Sequence, residues 1–558
     1  RFELPGYRTV WRAGSATGPP FIRKLDQLNV RLDPDSAIPP EMVRVPGGGV
    51  RVQNPPLDAL PRVELGDFLM DRHEVTNREY KRFVAAGGYA RPEFWKHAFV
   101  RDGRVLSWAE AMRALVDRTG QPGPSVWEGG DYADGDEDLL VGGLSWYEAA
   151  AYAEFAGKAL PTIYHWSHAA STPMGDHIVP RSNFSNRGPR AVTASHALGW
   201  YGTYDQAGNV REWCFNPNGP GRYIMGGGWN DPTYQFNDAY TQPAWDRSEI
   251  NGMRLVRYLD EKNLLAARRN IEVLRRNFLA ERPVSDEVFA VFLSQFAYDR
   301  KPLEARIESI DSSRADWVKQ RVSFEAAYAE PRMLLVLYLP RRYPPPYQVV
   351  VFFPPGNALQ LASSSDLPTA AFDFIIKSGR AVALPIYRGT FERGAGELKS
   401  DFQEPTVKWR DYVVAWGKDY RRSFDYFESR ADIDASRTAF YGLSWGGATG
   451  NIMAAIEPRT KAVILNVGGL QFESALPEVD PINYAPRVTQ PILMLHGRSD
   501  HFFPVETSQI PLFRVLGTPA QHKRHVIFEG GHLVPRPLLI RETLGWLDRY
   551  LGPVSAAH

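Results

Sequence analysis

The sequence has almost no cysteine, since Cys214 is the single one among 558 residues. One thiol excludes an intramolecular disulfide and any metal site built from several cysteines. The chain also has almost no net charge, because 65 lysine and arginine residues balance 64 aspartate and glutamate residues. No overall field therefore favours nucleic acid or an anionic membrane as a partner, and we expect neither.

Long apolar runs are missing as well. The longest are about as long as a β-strand, well short of the roughly 20 residues that a membrane-spanning helix needs. We therefore expect no membrane span within this chain. The chain begins at Arg1 without a methionine, and we expect an upstream segment: an export signal, an anchor or another domain. A soluble, extracytoplasmic part of a longer, membrane-anchored bacterial protein fits these observations.

The chain is too long for one hydrophobic core, so several domains are expected. Residues 1–40 are punctuated by proline and glycine and form an N-terminal lead-in. Residues 41–258 are rich in glycine, tryptophan and tyrosine and form a first domain. Residues 259–303 carry helical apolar spacing and predict a helical connector. Residues 304–558 alternate apolar runs with helix-length segments and form the last domain.

Helix signals are clear at three places. Ser145 is a good N-cap, Glu148 follows three residues later, and Gly157 suits a left-handed stop, which predicts a helix between them. The segment 261–278 has helical apolar spacing and dense charge, which predicts a solvated connector helix. A further helix is predicted over 285–298.

Seven short apolar runs in the last domain predict buried strands. They are Leu334–Leu339, Val349–Phe353, Ala381–Ile386, Thr438–Tyr441, Ala462–Val467, Ile492–Leu495 and His525–Phe528. Uninterrupted apolar runs separated by helix-length segments are typical of parallel strands with crossover helices. The sequence therefore predicts a doubly wound α/β sheet.

A nucleophilic serine is predicted where one of these strands ends. The pentapeptide Gly442-Leu-Ser444-Trp-Gly446 follows the run Thr438–Tyr441 and opens a helical segment. A serine at a sharp strand-to-helix turn needs small neighbours two residues away on each side, because its backbone is strained and closely packed. Ser444 is therefore the candidate nucleophile, although the same pattern also occurs in ordinary tight turns.

The partners of a catalytic serine follow in the expected order. Asp500 ends a strand-to-loop segment 56 residues after Ser444, and His532 lies past the next strand, 32 residues further. Loops that follow parallel strands meet at one edge of the sheet, so the three side chains can converge there. We expect His532 to act as the general base, and Asp500 to orient its imidazole.

Other residues compete for these roles. Glu506 and Asp480 are alternative acids, and His496 and His501 flank Asp500. Neither of those histidines follows the last strand, so His532 is preferred. Each element alone also has a structural interpretation, as a turn serine, a loop cap or a surface histidine.

The oxyanion of an acyl-transfer reaction needs backbone N–H donors. We expect one from Trp445 and one from the loop after Val349–Phe353. That loop begins with two prolines, which cannot donate, so Asn357 and Ala358 are the candidates. A simple turn at this place is the alternative.

Residues 304–552 resemble the α/β-hydrolase superfamily, and are closer to its dienelactone-hydrolase-like and prolyl-oligopeptidase-like members than to lipases. The Tyr-Arg-Gly sequence at Tyr387 resembles the strand end of the prolyl oligopeptidase group, which makes Tyr387 a substrate-binding candidate. Dienelactone hydrolases use a cysteine nucleophile, so their specific activity is not implied. The insertion 387–420 is rich in aromatic residues, which either wall an acyl pocket or belong to the core.

Six ordered motifs mark the first domain. They begin at Met42 (MVRVPGGG), Asp71 (DRHEVTNREYKRF), Ala159 (ALPTIYHW), Tyr204 (YDQAGNVREW), Met225 (MGGGW) and Gly252 (GMR). Together they resemble the formylglycine-generating, or sulfatase-modifying factor, family across 41–258. This resemblance implies an α+β, C-type-lectin-like fold with little regular structure.

The chemistry of that family is not expected here. Its enzymes oxidise a cysteine with a copper ion held by two cysteines, and the matching positions are Asp231 and Phe236. Cys214 lies in a different motif and is expected to be a small buried residue. The resemblance leaves a scaffold or a substrate-binding module.

Some members of the family bind calcium. The resemblance implies a tentative Ca²⁺ site at Asp205, the carbonyls of Gly208 and Val210, and Glu212, oxygen ligands that a hard cation prefers. A turn held by hydrogen bonds alone is the alternative.

The sequence as a whole predicts a serine hydrolase that cleaves a small-molecule carboxylic ester through an acyl-Ser444 intermediate and needs no cofactor for hydrolysis. A peptidase of the prolyl oligopeptidase type is one alternative. Similar domain pairs look like the C-terminal parts of bacterial serine/threonine kinases, so a non-catalytic sensing region of a receptor kinase is another. A homo-oligomer is left open.

Overall fold

The computed structural model describes residues 1–13, 30–52, 54, 57, 60–171, 175–184, 186, 188–271, 276–328, 332–398, 400–498, 500 and 502–554. The chain forms two compact units, Arg1–Arg275 and Arg276–His558, called unit 1 and unit 2 below. Within the described ranges, no helix is both long enough and apolar enough to cross a membrane. The domain boundaries predicted around 258 and 304 stay predictions.

Unit 1 has short strands in small sheets. Its strands are β1 (Met42–Val45), β2 (Gly48–Val50), β3 (Val63–Leu65), β4 (Phe68–Asp71), β5 (Val100–Arg101), β6 (Arg104–Val105), β7 (Arg211–Asn218), β8 (Gly221–Met225), β9 (Tyr240–Pro243), β10 (Asn251–Gly252) and β11 (Val256–Tyr258). The sheets have the orders β1-β4-β11 and β10-β7-β8-β9, and β2-β3 and β5-β6 form two-stranded ribbons.

The α-helices in the described part of unit 1 are α1 (Asn77–Ala85), α2 (Trp108–Ala114), α3 (Trp146–Phe155), α4 (Ile163–Ala170), α5 (Gly175–Ile178) and α6 (Leu264–Ala267). Helix α3 begins after Ser145, whose side chain accepts from the N–H of Glu148, as the sequence predicts. The Glu148 carboxylate is fully buried and binds Arg247 at 2.8 Å and Tyr89 at 2.6 Å. Short helices together with small sheets make this an α+β unit.

The connector helix predicted over 261–278 is wrong. Only α6 is helical there, and residues 272–275 lie outside the described residues. The backbone after α6 makes long-range contacts instead, because Asn216 on β7 donates to the carbonyls of Ala267 and Arg269. The N–H of Ile271 donates to the carbonyl of Pro217. Tertiary hydrogen bonds therefore override the helical pattern of the sequence.

Unit 2 is built on one large sheet. Its strands are β12 (Arg306–Asp311), β13 (Trp317–Phe324), β14 (Met333–Pro340), β15 (Tyr347–Phe353), β16 (Ala381–Ile386), β17 (Ile433–Leu443), β18 (Ala462–Asn466), β19 (Ile492–Gly497) and β20 (Lys523–Phe528). Its helices are α7 (Asp286–Ser294), α8 (Asp373–Lys377), α9 (Val407–Glu428), α10 (Trp445–Ile456), α11 (Ile510–Val515) and α12 (Arg536–Leu551).

The order of this sheet is β12-β13-β14-β16-β15-β17-β18-β19-β20. The first four strands pair antiparallel, and the strands from β16 onward pair parallel. Helices α9 and α10 pack with one face of the sheet, and α8 and α12 pack with the other. This is the α/β-hydrolase fold, and each of the seven predicted strands lies in it. The predicted fold class is confirmed.

Candidate active site

The strand order of unit 2 reverses at β15, which lies between β16 and β17. Such a reversal opens a crevice at the carboxyl ends of the strands, where ligands of α/β proteins bind. The loop 354–358 follows β15, and Ser444 follows β17 directly. Asp500 follows β19 and His532 follows β20. The fold therefore brings all four segments to the same edge of the sheet.

Ser444 is held in a strained turn between β17 and α10. Its φ of 56° and ψ of −111° are unusual for a residue other than glycine. The turn requires small neighbours: a Cβ on Gly442 would lie 2.2 Å from the carbonyl oxygen of Gly446, and a Cβ on Gly446 would lie 2.2 Å from that of Phe353. Gly442 is thus needed to close the turn around Ser444, and Gly446 is needed for the close approach of α10 to β15.

The three side chains form a continuous hydrogen-bonded chain. Nε2 of His532 lies 2.8 Å from Oγ of Ser444, and Nδ1 lies 3.0 Å from both carboxylate oxygens of Asp500. Oδ1 of Asp500 also accepts from the N–H groups of Phe502 and Phe503. Asp500 is fully buried and His532 is 8% exposed. With Nδ1 as donor to the carboxylate, Nε2 is free to accept the serine proton.

The competing candidates occupy other places. Asp480 pairs with Arg276 at 2.9 Å, and Glu506 is exposed at the surface. His501 lies outside the described residues. His496 is buried, its Nε2 lies 2.6 Å from the carbonyl oxygen of Gly468, and burial lowers its pKa to about 4.

The predicted oxyanion donors are backbone N–H groups of Trp445, next to Ser444, and of the loop after β15. Trp445 is the first residue of α10, where an N–H has no partner within the helix. The N–H of Ala358 donates to the carbonyl of Pro355 at 3.0 Å, so this candidate is engaged in a turn. The N–H of Asn357 makes no hydrogen bond with the described part of the chain. Of the two predicted loop donors, Asn357 is therefore the one whose N–H is not engaged in this turn, and its role as an oxyanion donor stays a prediction.

Tyr387 lies in the core. Its ring stacks on Phe353 at a centroid distance of 4.1 Å, the residue is fully buried, and burial raises the pKa of its hydroxyl. Of the aromatic residues in the insertion, Phe391, Trp409 and Trp416 are buried too. These buried side chains pack in the hydrophobic core. A contact between Tyr387 and a substrate stays a prediction.

Two apolar side chains lie beside the histidine. The ring of Phe502 meets the imidazole of His532 edge-on at 4.6 Å, and the adjacent Leu533 is 43% exposed. Neither residue was predicted from the sequence. Their positions in the sequence, close to Asp500 and His532, could have identified them, because the fold brings those two residues together.

In unit 1, the two positions that the resemblance matches to the copper cysteines hold other side chains. Asp231 forms a bidentate ion pair with Arg211, with N···O distances of 2.6 and 2.7 Å, and accepts a hydrogen bond from the N–H of Gly228. Phe236 is fully buried in the hydrophobic core. Cys214 is also fully buried, and burial raises the pKa of its thiol. One position thus holds an aspartate that is paired with an arginine, and the other holds a phenylalanine. These two side chains cannot replace two thiolates.

The residues implied as calcium ligands are partnered by arginines. Glu212 binds Arg254 at 2.8 Å and the indole N–H of Trp166 at 2.7 Å, and Asp205 binds Arg190 at 2.8 Å. Burial raises the pKa of both carboxyls. Among the residues that the structure describes, no group of three His, Cys, Asp or Glu side chains could hold a metal ion. The calcium site stays a prediction.

Unit 1 also has a cavity of about 430 Å³. Its lining includes the aromatic residues Trp127, Tyr132 and Trp229 and the carboxylates of Asp136 and Glu249. A concave site with aromatic walls and a few polar groups is typical of small-ligand binding.

Residues 31–259 match the Sulfatase-modifying factor enzyme 1-like domain. The formylglycine-generating enzyme of Thermomonospora curvata is 32% identical over 214 residues, covering 31% of this chain and 70% of that enzyme. The chain belongs to the formylglycine-generating enzyme family. The predicted resemblance is confirmed.

The serine/threonine-protein kinase pkn1 of Chlamydia pneumoniae is another relative, 32% identical over 190 residues. The match covers 31% of this chain, but the chain spans only 27% of the length of that kinase. Among solved structures, the acetyl xylan esterase from Paenibacillus sp. R4 is similar to this chain with a TM-score of 0.38 and 17% identity. That likeness covers 49% of this chain and 97% of the esterase.

Proposed function

We propose that unit 2 is a serine hydrolase that cleaves carboxylic esters. The observation that carries this proposal is the hydrogen-bonded chain from Ser444 through His532 to Asp500. A serine paired with a histidine, which is itself oriented by a buried carboxylate, is the arrangement that activates a hydroxyl for acyl transfer. The strained turn at Ser444 supports the same role, because backbone strain of this kind concentrates at functional sites.

The proposed reaction has two halves. In the first, Nε2 of His532 takes the proton from Oγ of Ser444 as the oxygen attacks the ester carbonyl. The N–H groups of Trp445 and Asn357 stabilise the tetrahedral oxyanion, and the positive end of α10 adds to this. His532 then protonates the leaving alcohol, which leaves an acyl-Ser444 ester. In the second half, His532 activates a water molecule, whose attack releases the acid and restores the serine.

A small or aromatic ester is the substrate class that fits best. Phe502 and Leu533 give the surroundings of His532 an apolar character, which suits an uncharged acyl or alcohol group. A peptidase of the prolyl oligopeptidase type is the second candidate, favoured by the Tyr-Arg-Gly sequence at Tyr387.

Unit 1 is proposed to be a binding module without oxidase activity. Its ion pair between Asp231 and Arg211 occupies the position of a copper ligand in the family. The cavity beside Trp127 and Trp229 gives the module a place to bind a ligand. A sensing region of a receptor kinase is the third candidate for the whole chain, favoured by the similarity to the kinase of Chlamydia pneumoniae. In that case neither esters nor peptides are cleaved.

A substrate panel separates these candidates. The wild-type chain and Ser444→Ala are compared on p-nitrophenyl esters of graded acyl length and on a proline p-nitroanilide. We expect ester cleavage by the wild type, and its loss in Ser444→Ala. Ser436→Ala is the matched control, since its hydroxyl donates to Asp434 and it lies in the first half of β17, away from Ser444. Cleavage of the anilide alone would favour the peptidase, and no turnover at all would contradict the enzyme proposal.

A further inference from the structure

Strand β12 is the outer strand of the large sheet. It pairs with β13 on one side, and in the described part of the chain no strand pairs with its other side. All of its residues are exposed, including Ile307 (51%) and Ile310 (58%). An exposed strand edge with unpaired backbone groups is a template for pairing with another strand.

A bulge in β12 decides which side chains share a face. Ile307 lies opposite Val322, and Ile310 lies opposite Gln320, so both isoleucines are on one face of the sheet. Arg306 lies opposite Ser323 and Asp311 lies opposite Lys319, which puts these two charges together on the other face. The extra residue at the bulge makes this possible, since Arg306 and Asp311 would otherwise lie on opposite faces.

We propose that β12 pairs antiparallel with β12 of a second copy of this chain. With the twofold axis between Glu308 and Ser309, Arg306 of each copy faces Asp311 of the other. Ile307 then faces Ile310, also twice. In both kinds of pair the two residues lie on the same face of the sheet. Opposite charges that face each other across two strands are stabilising, and so are facing aliphatic side chains.

Other arrangements fit less well. Moving the axis by half a residue sets Arg306 against Ile310, which lie on opposite faces, so neither the charge pairs nor the isoleucine pairs are matched. Charges and bulges on an edge strand also serve to prevent pairing. Here, however, the two charges have opposite signs at mirrored positions, and a twofold axis converts them into attraction. This proposal is independent of the function proposed for Ser444.

The contact is small. One six-residue strand per copy offers less surface than the ~800 Å² that each partner contributes to a typical stable interface. We therefore expect a dimer whose population rises with concentration. The ion pairs are exposed, so dimerisation weakens at high salt.

Charge exchange tests the pairing and its register. The average mass of the full chain is measured at low salt by sedimentation velocity. We expect it to increase from the monomer mass of 62.9 kDa toward twice that value as the concentration rises. Arg306→Asp and Asp311→Arg each place like charges across both contacts, and each should raise the dimer dissociation constant about tenfold or more. Mixing the two single variants restores opposite charges at both contacts, so the mixture should dimerise again. The double variant should also self-associate.

Lys461→Asp is the control, because it changes an exposed charge outside β12. It should leave the dimer unchanged, and melting curves should show that every variant is folded. A chain that stays monomeric at all concentrations would overturn the proposal. A dimer insensitive to Arg306→Asp and Asp311→Arg would do the same, and failure of the mixture to dimerise would overturn the register.

Discussion

Replacing Asp500 by asparagine should disable the histidine without disturbing the fold. Oδ1 of Asp500 accepts two backbone N–H groups, from Phe502 at 2.9 Å and from Phe503 at 3.2 Å. These donors hold the amide oxygen of an asparagine in the same place, so its NH₂ group takes the position of Oδ2. That position lies 3.0 Å from Nδ1 of His532. A donor there competes with Oδ1, which also lies 3.0 Å from Nδ1, and favours the tautomer with the proton on Nε2, which can no longer accept the proton of Ser444.

The expected loss is large. In triads of this kind the wrong tautomer lowers kcat about 10⁴-fold, which corresponds to about 5.5 kcal/mol in the activation barrier. The assay is the steady-state hydrolysis of a p-nitrophenyl ester near neutral pH by the wild type, Asp500→Asn and the control Asp411→Asn. Asp411 is 53% exposed and pairs with Arg410, so its loss should leave the rate within about twofold. A folded Asp500→Asn protein that keeps more than a tenth of the activity would refute this assignment of the acid.

Three further predictions concern stability, each measured as a melting temperature. Burial lowers the pKa of folded His496 to about 4, below the ~6.5 of an unfolded histidine, so the unfolded chain binds its proton first as pH falls. The free energy of unfolding should therefore fall by on the order of 3 kcal/mol between pH 7 and 4, and it should fall less in His496→Asn. The same pH dependence in both proteins would contradict this. Glu148→Ala removes a fully buried carboxylate, leaves the partly buried Arg247 without its partner and should cost about 3–5 kcal/mol. Glu137→Ala removes a carboxylate whose side chain is 41% exposed and should cost under ~0.5 kcal/mol, so similar costs would contradict the burial argument. Gly446→Ala sets a Cβ 2.2 Å from a backbone oxygen of β15 and should destabilise unit 2 by more than about 2 kcal/mol, so a melting point equal to the wild type would count against that geometry.

Local patterns predicted much of the fold. The apolar runs identified the strands of the parallel sheet, because a strand buried on both faces leaves a continuous apolar stretch. The cap at Ser145 and Glu148 identified the start of α3, since both residues act within one turn. The predicted helix over 261–278 failed for the opposite reason. Its backbone is bound by Asn216 on β7, and such a partner is invisible to a pattern read within one segment.

The candidate site shows the same division. The order of Ser444, Asp500 and His532 along the chain indicated the constellation, because loops after neighbouring parallel strands share one sheet edge. The turn that engages the N–H of Ala358 could not be read from composition. Composition also could not reveal that Glu212 pairs with Arg254, because Arg254 lies 42 residues further along the chain. This pair brings a positive charge to the predicted calcium ligands.

The central claim, that Ser444 is an activated nucleophile, is tested most directly by a fluorophosphonate probe. This reagent reacts with a serine hydroxyl whose proton is taken by a neighbouring base, and unactivated serines do not react. Tandem mass spectrometry of the labelled chain should place a single adduct on Ser444, with no labelling of Ser444→Ala and strongly reduced labelling of His532→Ala. An unlabelled wild-type chain, or an adduct on another residue, would contradict the account.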